Sequence, residues 1–261
     1  MKALSIAATG MIAQQLNVEV IANNIANMNT TGFKRQRAEF QDLLYQNIER
    51  IGSNSSDTGT ITPSGIQVGV GVKTGGVYRI TEQGSVVGTE NDLDVAINGN
   101  GYFRITLPTG DNAYSRAGAF QLGPTGQIVT LEGYTVGPGL TIPQGAVDIA
   151  INPEGELLVT LQGQINPTNV GRLELVTFPN PAGLEATGNN QFLETPASGA
   201  ANVGVPNTPG FGAILQGFLE NSNVNSVSEI TSLITAQRAY EMNSKVISTA
   251  DEMMSVTSNL R

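Results

Sequence analysis

Apolar side chains recur at helical spacing at both ends of this chain, and that feature constrains the fold more than any other. From Lys2 to Met28, Leu4, Met11, Val18 and Ile25 fall seven residues apart, with Ala7, Ile21 and Met28 filling the intervening step. This spacing draws one narrow stripe along a helix, the seam of a coiled coil. Gln14 interrupts it. From about Val224 to Leu260, Ile230, Leu233, Tyr240, Ile247 and Met254 share a face, interleaved with Gln237, Ser244 and Asp251, and Val227 and Ile234 widen it. At ~1.5 Å per residue the two helices would reach roughly 40 Å and 50 Å. Neither can hide its stripe alone, so each needs a partner helix, from this chain or another. The outer face of the first carries Thr9, Gln15, Asn17, Asn23, Asn24 and Asn27 rather than a Glu/Lys lattice. An uncharged polar face suits packing against identical copies, where like charges would repel.

The sequence between the helices has a different texture. Asn29-Thr30-Thr31-Gly32 stops the first helix, with Gly32 available for a left-handed cap. Glu39 to Ile51 resumes a helical rhythm through Phe40, Leu43, Leu44 and Ile48, which predicts a connecting helix or an extended segment. Gly52 to Gly65 turns to Ser, Thr, Asn, Asp and Gly and reads as a linker. From Ile66 short strands follow. Gln67 to Val72 alternates strictly, and Asp94 to Ile97, the turn Asn98-Gly99-Asn100-Gly101 and Tyr102 to Ile105 read as a hairpin. Further strands are expected at 113–115, 119–122, 128–131, 135–136, 147–151, 157–161 and 173–178, most of them separated by Pro- and Gly-bearing turns. Ala197 to Gly212 reads as a loop leading to the last helix. The expected fold is mainly β with terminal α-helices: an antiparallel sandwich or barrel-like body looped out of a terminal two-helix coiled coil. The expected domains are 1–32 with 224–261 as the helical part, 33–66 as a connecting helix and extended arm, and 67–223 as the strand body.

Composition narrows the chemistry. The formal net charge of −9 argues against nucleic acid or an anionic membrane as partner, since both call for clustered Lys and Arg. Cysteine and histidine are both absent, which removes disulfides, thiolate chemistry, the Ser-His pair and the commonest transition-metal ligand. No window of ~18 apolar residues exists to cross a membrane as a helix. A signal-peptide reading of the first thirteen residues fails because Thr9 and Gly10 break the apolar stretch and the helical periodicity runs on to Met28. The run from Gly69 to Gly75 is one residue too long for a dinucleotide fingerprint and is surrounded by alternating strand residues. Asp92 with Asp94, and Glu154 with Glu156, are the candidate carboxylate pairs for glycan hydrolysis, but they sit at a strand flank and in a Pro-Glu-Gly turn. No catalytic residue, cofactor site or metal site is expected.

Longer motifs carry a resemblance. Ala22-Asn23-Asn24-Ile25-Ala26-Asn27-Met28-Asn29-Thr30-Thr31-Gly32-Phe33-Lys34 resembles the N-terminal signature of the flagellar basal-body rod and hook proteins. Asn223-Val224-Asn225 and Gln237-Arg238-Ala239-Tyr240-Glu241-Met242-Asn243-Ser244-Lys245 resemble the family's C-terminal motif. The body resembles it at 94–103, 114–118 and 216–222. The resemblance implies Asn23, Asn24, Asn27, Gly32, Phe33, Gln237, Arg238, Tyr240, Asn243 and Lys245 as motif residues. It also implies a structural subunit of the distal part of the rod: 261 residues leave little room for the extra domain of a hook protein. Tyr45 to Ser64 resembles a stretch that proximal rod subunits lack, which makes it a subunit-contact arm rather than a tether. Implied partners are further copies of the chain, proximal rod proteins, the hook protein, the surrounding bushing rings and the flagellar type III export apparatus. The implied location is the periplasm-spanning rod, reached without signal cleavage, with the terminal helices folding only on assembly. Leu4, Met11, Val18, Ile21 and Ile25 are expected to pack against Ile230, Leu233, Tyr240 and Ile247, within or between subunits.

Overall fold

A computed structural model describes residues 2–49, 65–164 and 166–259. Most of the expected contact arm, with Pro63 and Ile51, lies outside the described residues, as does Leu260. The described chain is mostly antiparallel β-sheet with one helix at each end, and no barrel closes. It forms two compact units, one of residues 1–25, 36–78 and 225–261, the other of residues 26–35 and 79–224.

The first unit holds helix α1 (Lys2–Ala26), strands β1 (Gln36–Asp42), β2 (Tyr45–Glu49), β3 (Ile66–Gly69) and β4 (Val72–Arg79), and helix α2 (Ser226–Asn259). β1 pairs with β4, and β2 pairs antiparallel with β3. Of the connecting helix and the extended segment expected in 39–51, the described residues, up to Glu49, take the extended form, in two strands rather than a helix. The segment's rhythm rests on four apolar residues, and Leu44 and Ile48 are 87% and 63% exposed, so no apolar helix face is being buried there. The alternating run 67–72 is also broken, because Gly71 takes a φ of +131° and separates β3 from β4. A side chain at Gly71 would collide with the Thr9 hydroxyl of α1, so this glycine admits close approach of strand and helix.

The second unit contains β5 (Val86–Gly88), β6 (Val95–Asn98), β7 (Tyr102–Thr106), β8 (Asn112–Ser115), β9 (Gln121–Leu122), β10 (Ile128–Val129), β11 (Thr135–Val136), β12 (Ala146–Ile151), β13 (Glu156–Leu161), β14 (Thr168–Arg172), β15 (Leu175–Thr177), β16 (Glu185–Gly188), β17 (Gln191–Leu193), β18 (Asn202–Gly204), β19 (Ala213–Gln216) and β20 (Phe218–Glu220). The main sheet runs β16-β17-β8-β7-β11-β10-β9, with β15 bridging β7 and β18; β12-β13-β14 form a second sheet. The interior is apolar and tightly covered. Phe103, Ile105, Leu157, Leu175 and Ile97 are at most 1% exposed, and Phe103 meets Phe120 edge to face at 5.1 Å. A satellite cluster joins Tyr114, Val176, Phe178 and Leu184.

The hairpin expected across 94–105 does not form. β6 pairs with β19 and β7 with β8, β11 and β15. Gly99 and Gly101 both take positive φ, and the carbonyls of Ile97, Gly99 and Gly101 accept hydrogen bonds from the Arg116 guanidinium. The turn wraps a buried cation instead of closing a ladder. The stretch 197–212, expected as loop, carries the short strand β18, and β16 and β17 fall where no strand was expected.

Candidate assembly surface

The two helices meet antiparallel. Asn24 Nδ2 of α1 donates to Glu229 Oε2 of α2 at 3.2 Å, and Gly10 faces Asn243 so closely that an added Cβ would lie 2.9 Å from its Nδ2. Fourteen residues separate these contacts on each helix, two heptads, so the register is regular. The buried positions along the seam are small or polar: Ala7, Ala13 and Asn24 on α1, and Glu229, Ala236 and Ala250 on α2, joined by Val20 and Ile21. Small residues let the backbones approach closely, and the seam takes in Ala7 and Ile21 of the apolar stripe while its larger members Leu4, Met11 and Val18 are half-buried.

Asn24 does more than join the helices. It is 1% exposed, accepts from the Gln36 amide at 2.9 Å and donates to the Gln36 carbonyl at 2.8 Å. One side chain thus pairs both backbone groups of the first residue of β1 and reaches α2. Thr9 serves the opposite end of the unit: its hydroxyl donates to the Ile6 carbonyl at 2.8 Å and faces the Val72 amide at 3.4 Å. Asn27 accepts from the Thr30 hydroxyl at 3.1 Å.

The expected packing residues divide. Ile21 is buried, while Leu4, Met11, Val18, Ile25, Leu233 and Ile247 are half-buried. Met28 lies past the helix end at Ala26 and is exposed, as are Val227, Ile230, Ile234, Tyr240 and Met254. Val227, Ile230 and Ile234 fall on the side of α2 away from Glu229, Ala236, Asn243 and Ala250. α2 therefore has two usable faces, one occupied by α1 and one left apolar and exposed. Among the motif residues, Asn23, Gln237, Arg238 and Lys245 are exposed, and Phe33 and Asn243 half-buried.

In the second unit the chain segments at 32–35, 80–85 and 220–223 are tied around Glu220, which is 1% exposed. Lys34 Nζ and Arg116 Nε each donate to its carboxylate at 2.6 Å, and the Gly84 amide adds a third bond at 3.0 Å. Asn223 completes the tie, accepting from the Arg35 amide and donating to the carbonyls of Ile80 and Glu82. Burial, the largest influence on Glu220, opposes its ionisation; Arg116 and Lys34 together outweigh it and hold the carboxyl below the ordinary carboxylate range. Gly32, six residues beyond the helix end, does not cap α1. Its φ of +69° turns the chain so that its amide donates to the Glu220 carbonyl at 2.8 Å. Sequence reasoning missed Lys34, Arg116, Glu220 and Glu229 as structural centres; the signal for three of them was ionisable residues within motif segments. The candidate carboxylates are dispersed in role: Asp94 accepts from Asn91 at 3.0 Å, and Glu156 pairs with Arg172 at 2.7 Å.

Three family models match: "Flagella basal body rod protein" over 4–34, "Flagellar hook protein FlgE/F/G D1 domain" over 96–159, and "Flagellar basal body rod FlgEFG protein C-terminal" over 215–260. A flagellar basal-body rod protein FlgG of Caulobacter vibrioides is 64% identical over 261 residues, all of both chains. The chain belongs to the flagellar basal-body rod protein family. Two further rod proteins named FlgG are similar along almost the whole length: that of Agrobacterium fabrum is 53% identical over 99% of this chain and 98% of its own, and that of Bacillus subtilis 39% over 97% and 96%. The terminal segments that the rod-protein models match are the ones joined here, by Asn24 with Glu229 in one unit and Lys34 with Glu220 in the other.

Proposed function

We propose that this chain is a subunit that polymerises helically into the distal rod of the flagellar basal body, the shaft carrying torque from motor to hook. The observation that carries the reading is the second apolar face of α2: Val227, Ile230 and Ile234 are 46–73% exposed along a helix whose opposite face is already occupied. A row of large apolar side chains in water is a cost that docking removes, at about 25 cal/mol per Å² covered. The β2–β3 ladder supports the same reading, since Leu44, Tyr45, Ile48 and Ile66 are all more than half exposed and an isolated two-stranded ladder is marginal in water.

In this reading the terminal helices line an inner tube and the strand body forms the outer layer. Contacts between identical subunits are heterologous and do not close into a ring, so they propagate as a helical tube. Proximal rod proteins, the hook protein and the bushing rings are the neighbours, and the type III export apparatus delivers the chain without signal cleavage. No catalysis and no cofactor enter this function. Hook and proximal-rod readings are weaker, given full-length similarity to the rod proteins above, and Glu156 of the glycan-hydrolase reading is engaged by Arg172.

Electron cryotomography of cells lacking this gene tests the proposal. Basal bodies ending in a short proximal rod, with no hook, are the expected result. A complete rod without a hook would make this a hook protein, and intact turning flagella would end the proposal.

A further inference from the structure

Beside Glu220 lies a cavity of about 610 Å³ within the second unit, lined among others by Lys34, Arg116, Tyr102, Phe178, Pro179 and Gly101. Its cations are unusual. Lys34 and Arg116 are 5% and 6% exposed, yet they share the single carboxylate of Glu220, so the cluster holds two buried positive charges against one negative. A surplus charge held out of water is costly unless an opposite charge or a full set of hydrogen bonds meets it.

The hydrogen bonds fall short of a full set. The Lys34 ammonium has three N–H groups, of which one goes to Glu220 and one to the Glu82 carbonyl. The Arg116 guanidinium has five, of which one goes to Glu220 and three to the carbonyls of Gly101, Ile97 and Gly99. Each cation keeps one N–H without an acceptor among the described residues. Tyr102, in the same wall, brings a hydroxyl that makes no hydrogen bond among them. Its ring meets Phe178 edge to face at 6.0 Å. Two unspent charged donors, a hydroxyl donor and an apolar wall line one space, whose lining also includes the exposed Glu82, while the buried cluster itself keeps one surplus positive charge.

We infer that this cavity is a carboxylate-binding site, which accepts one carboxylate on the free donors of Lys34 and Arg116 and seats the attached carbon chain against Tyr102, Phe178 and Pro179. A carboxylate has the acceptor capacity to take both charged N–H groups and the hydroxyl together. It also neutralises the cluster, turning two cations and one anion into two of each. Burial, the largest influence on Lys34, pushes its ammonium below the ordinary lysine range, and a second carboxylate opposes that push. The carboxylate comes from a free small acid or from an acidic side chain of another copy. The chain is rich in the latter, with 22 Asp and Glu against 13 Lys and Arg.

The test titrates the full-length soluble chain with sodium acetate against sodium chloride at equal ionic strength and pH 7, following thermal unfolding and calorimetric binding. A saturable acetate effect with no chloride counterpart is expected. Lys34→Met leaves Glu220 and Arg116 as a neutral pair and should weaken acetate binding by about tenfold or more, the loss of a charged hydrogen bond. Tyr102→Phe, which keeps the aromatic wall, should weaken it by about threefold to tenfold. It remains informative if Lys34→Met fails to fold. Equal responses to acetate and chloride, or acetate binding undiminished in the variants, would overturn the assignment. Self-association inhibited competitively by acetate would identify a neighbouring copy as the source of the carboxylate. Association insensitive to acetate that still binds would identify a small acid.

Discussion

The two units bury different things. Every large apolar side chain that is fully buried among the described residues (Phe103, Ile97, Ile105, Leu157 and their neighbours) belongs to the strand unit. The helical unit buries mostly small or polar residues (Ala7, Ala13, Ala236 and Ala250 with Asn24 and Glu229) beside Val20 and Ile21, and leaves Ile12, Leu44, Ile48, Val227 and Met253 at 63–87% exposure. The strand unit thus carries its hydrophobic driving force inside itself. The helical unit carries much of its own on the outside, in the form of contacts its own chain does not make. One is a finished fold; on the proposed function the other gains its stability from neighbours.

The most severe way to break this contrast is to charge the unfinished unit. Val18→Asp on α1 or Ile234→Asp on the outward face of α2 should abolish assembly, measured as loss of filament mass in sedimentation and of motility in cells. Thermal unfolding of the strand unit should stay unchanged. Assembly at normal yield in both variants would mean that the helices do not carry the subunit contacts.

The finished unit breaks at its ionic centre. Glu220→Gln leaves Lys34 and Arg116 buried without their anion and should cost about 3–5 kcal/mol in urea unfolding followed by tyrosine absorbance. The same group sets an acid response. The folded-state carboxyl ionises below its unfolded value, so its stabilisation is full above the ordinary carboxylate range and is lost as pH falls through the folded value. Wild-type protein should therefore lose stability on acidification below about pH 4 more steeply than Glu220→Gln does. Parallel slopes would show that Glu220 is not the titrating centre.

These contrasts also explain what the sequence disclosed. Long-range periodicity carried the terminal helices, and the turn spacing carried the strand-rich body, because both signals are local and repeated. The stripe shares Ala7 and Ile21 with the buried seam, while its larger members Leu4, Met11 and Val18 are half-buried, since a pattern of large apolar residues does not say which neighbour covers it. A seam of Ala, Gly, Asn and Glu leaves no such mark. The turn at 98–101 read as a hairpin because its glycines signal a reversal of the chain but not what the reversal surrounds. The group it surrounds, the donating Arg116 guanidinium, lies fifteen residues beyond Gly101. Of the two forms expected for 39–51, the described residues take the extended one, and Leu44 and Ile48 stay exposed, so no apolar helix face is buried there.

Asn24 measures how far the helical unit holds together without neighbours. Asn24→Ala removes acceptor and donor from Gln36 and a donor from Glu229, and should cost the helical unit about 1–3 kcal/mol. Faster hydrogen exchange at the Gln36 amide, with amides of β7 and β13 unaffected, is the expected signature. An effect of equal size on the strand unit would mean that the two unfold together.

Gly10→Ala should have the smallest effect and probes the seam most finely. Alanine favours the helix over glycine by about 1 kcal/mol, because it gives up less backbone freedom on folding. Against this, the new methyl would lie 2.9 Å from Asn243 Nδ2, closer than van der Waals contact. That atom is the end of a side chain that turns about two bonds, so the clash is relieved by a small rotation rather than by parting the helices. The two terms nearly cancel, and thermal unfolding of the helical unit should move by less than about 0.5 kcal/mol. Adding Asn243→Ala removes the clash and should restore the full alanine gain of about 1 kcal/mol over Asn243→Ala alone, a coupling that a double-mutant cycle isolates. If Gly10→Ala instead destabilises by several times that amount, the seam is as tightly packed as the strand interior, and the helical unit is incomplete only on its outer face.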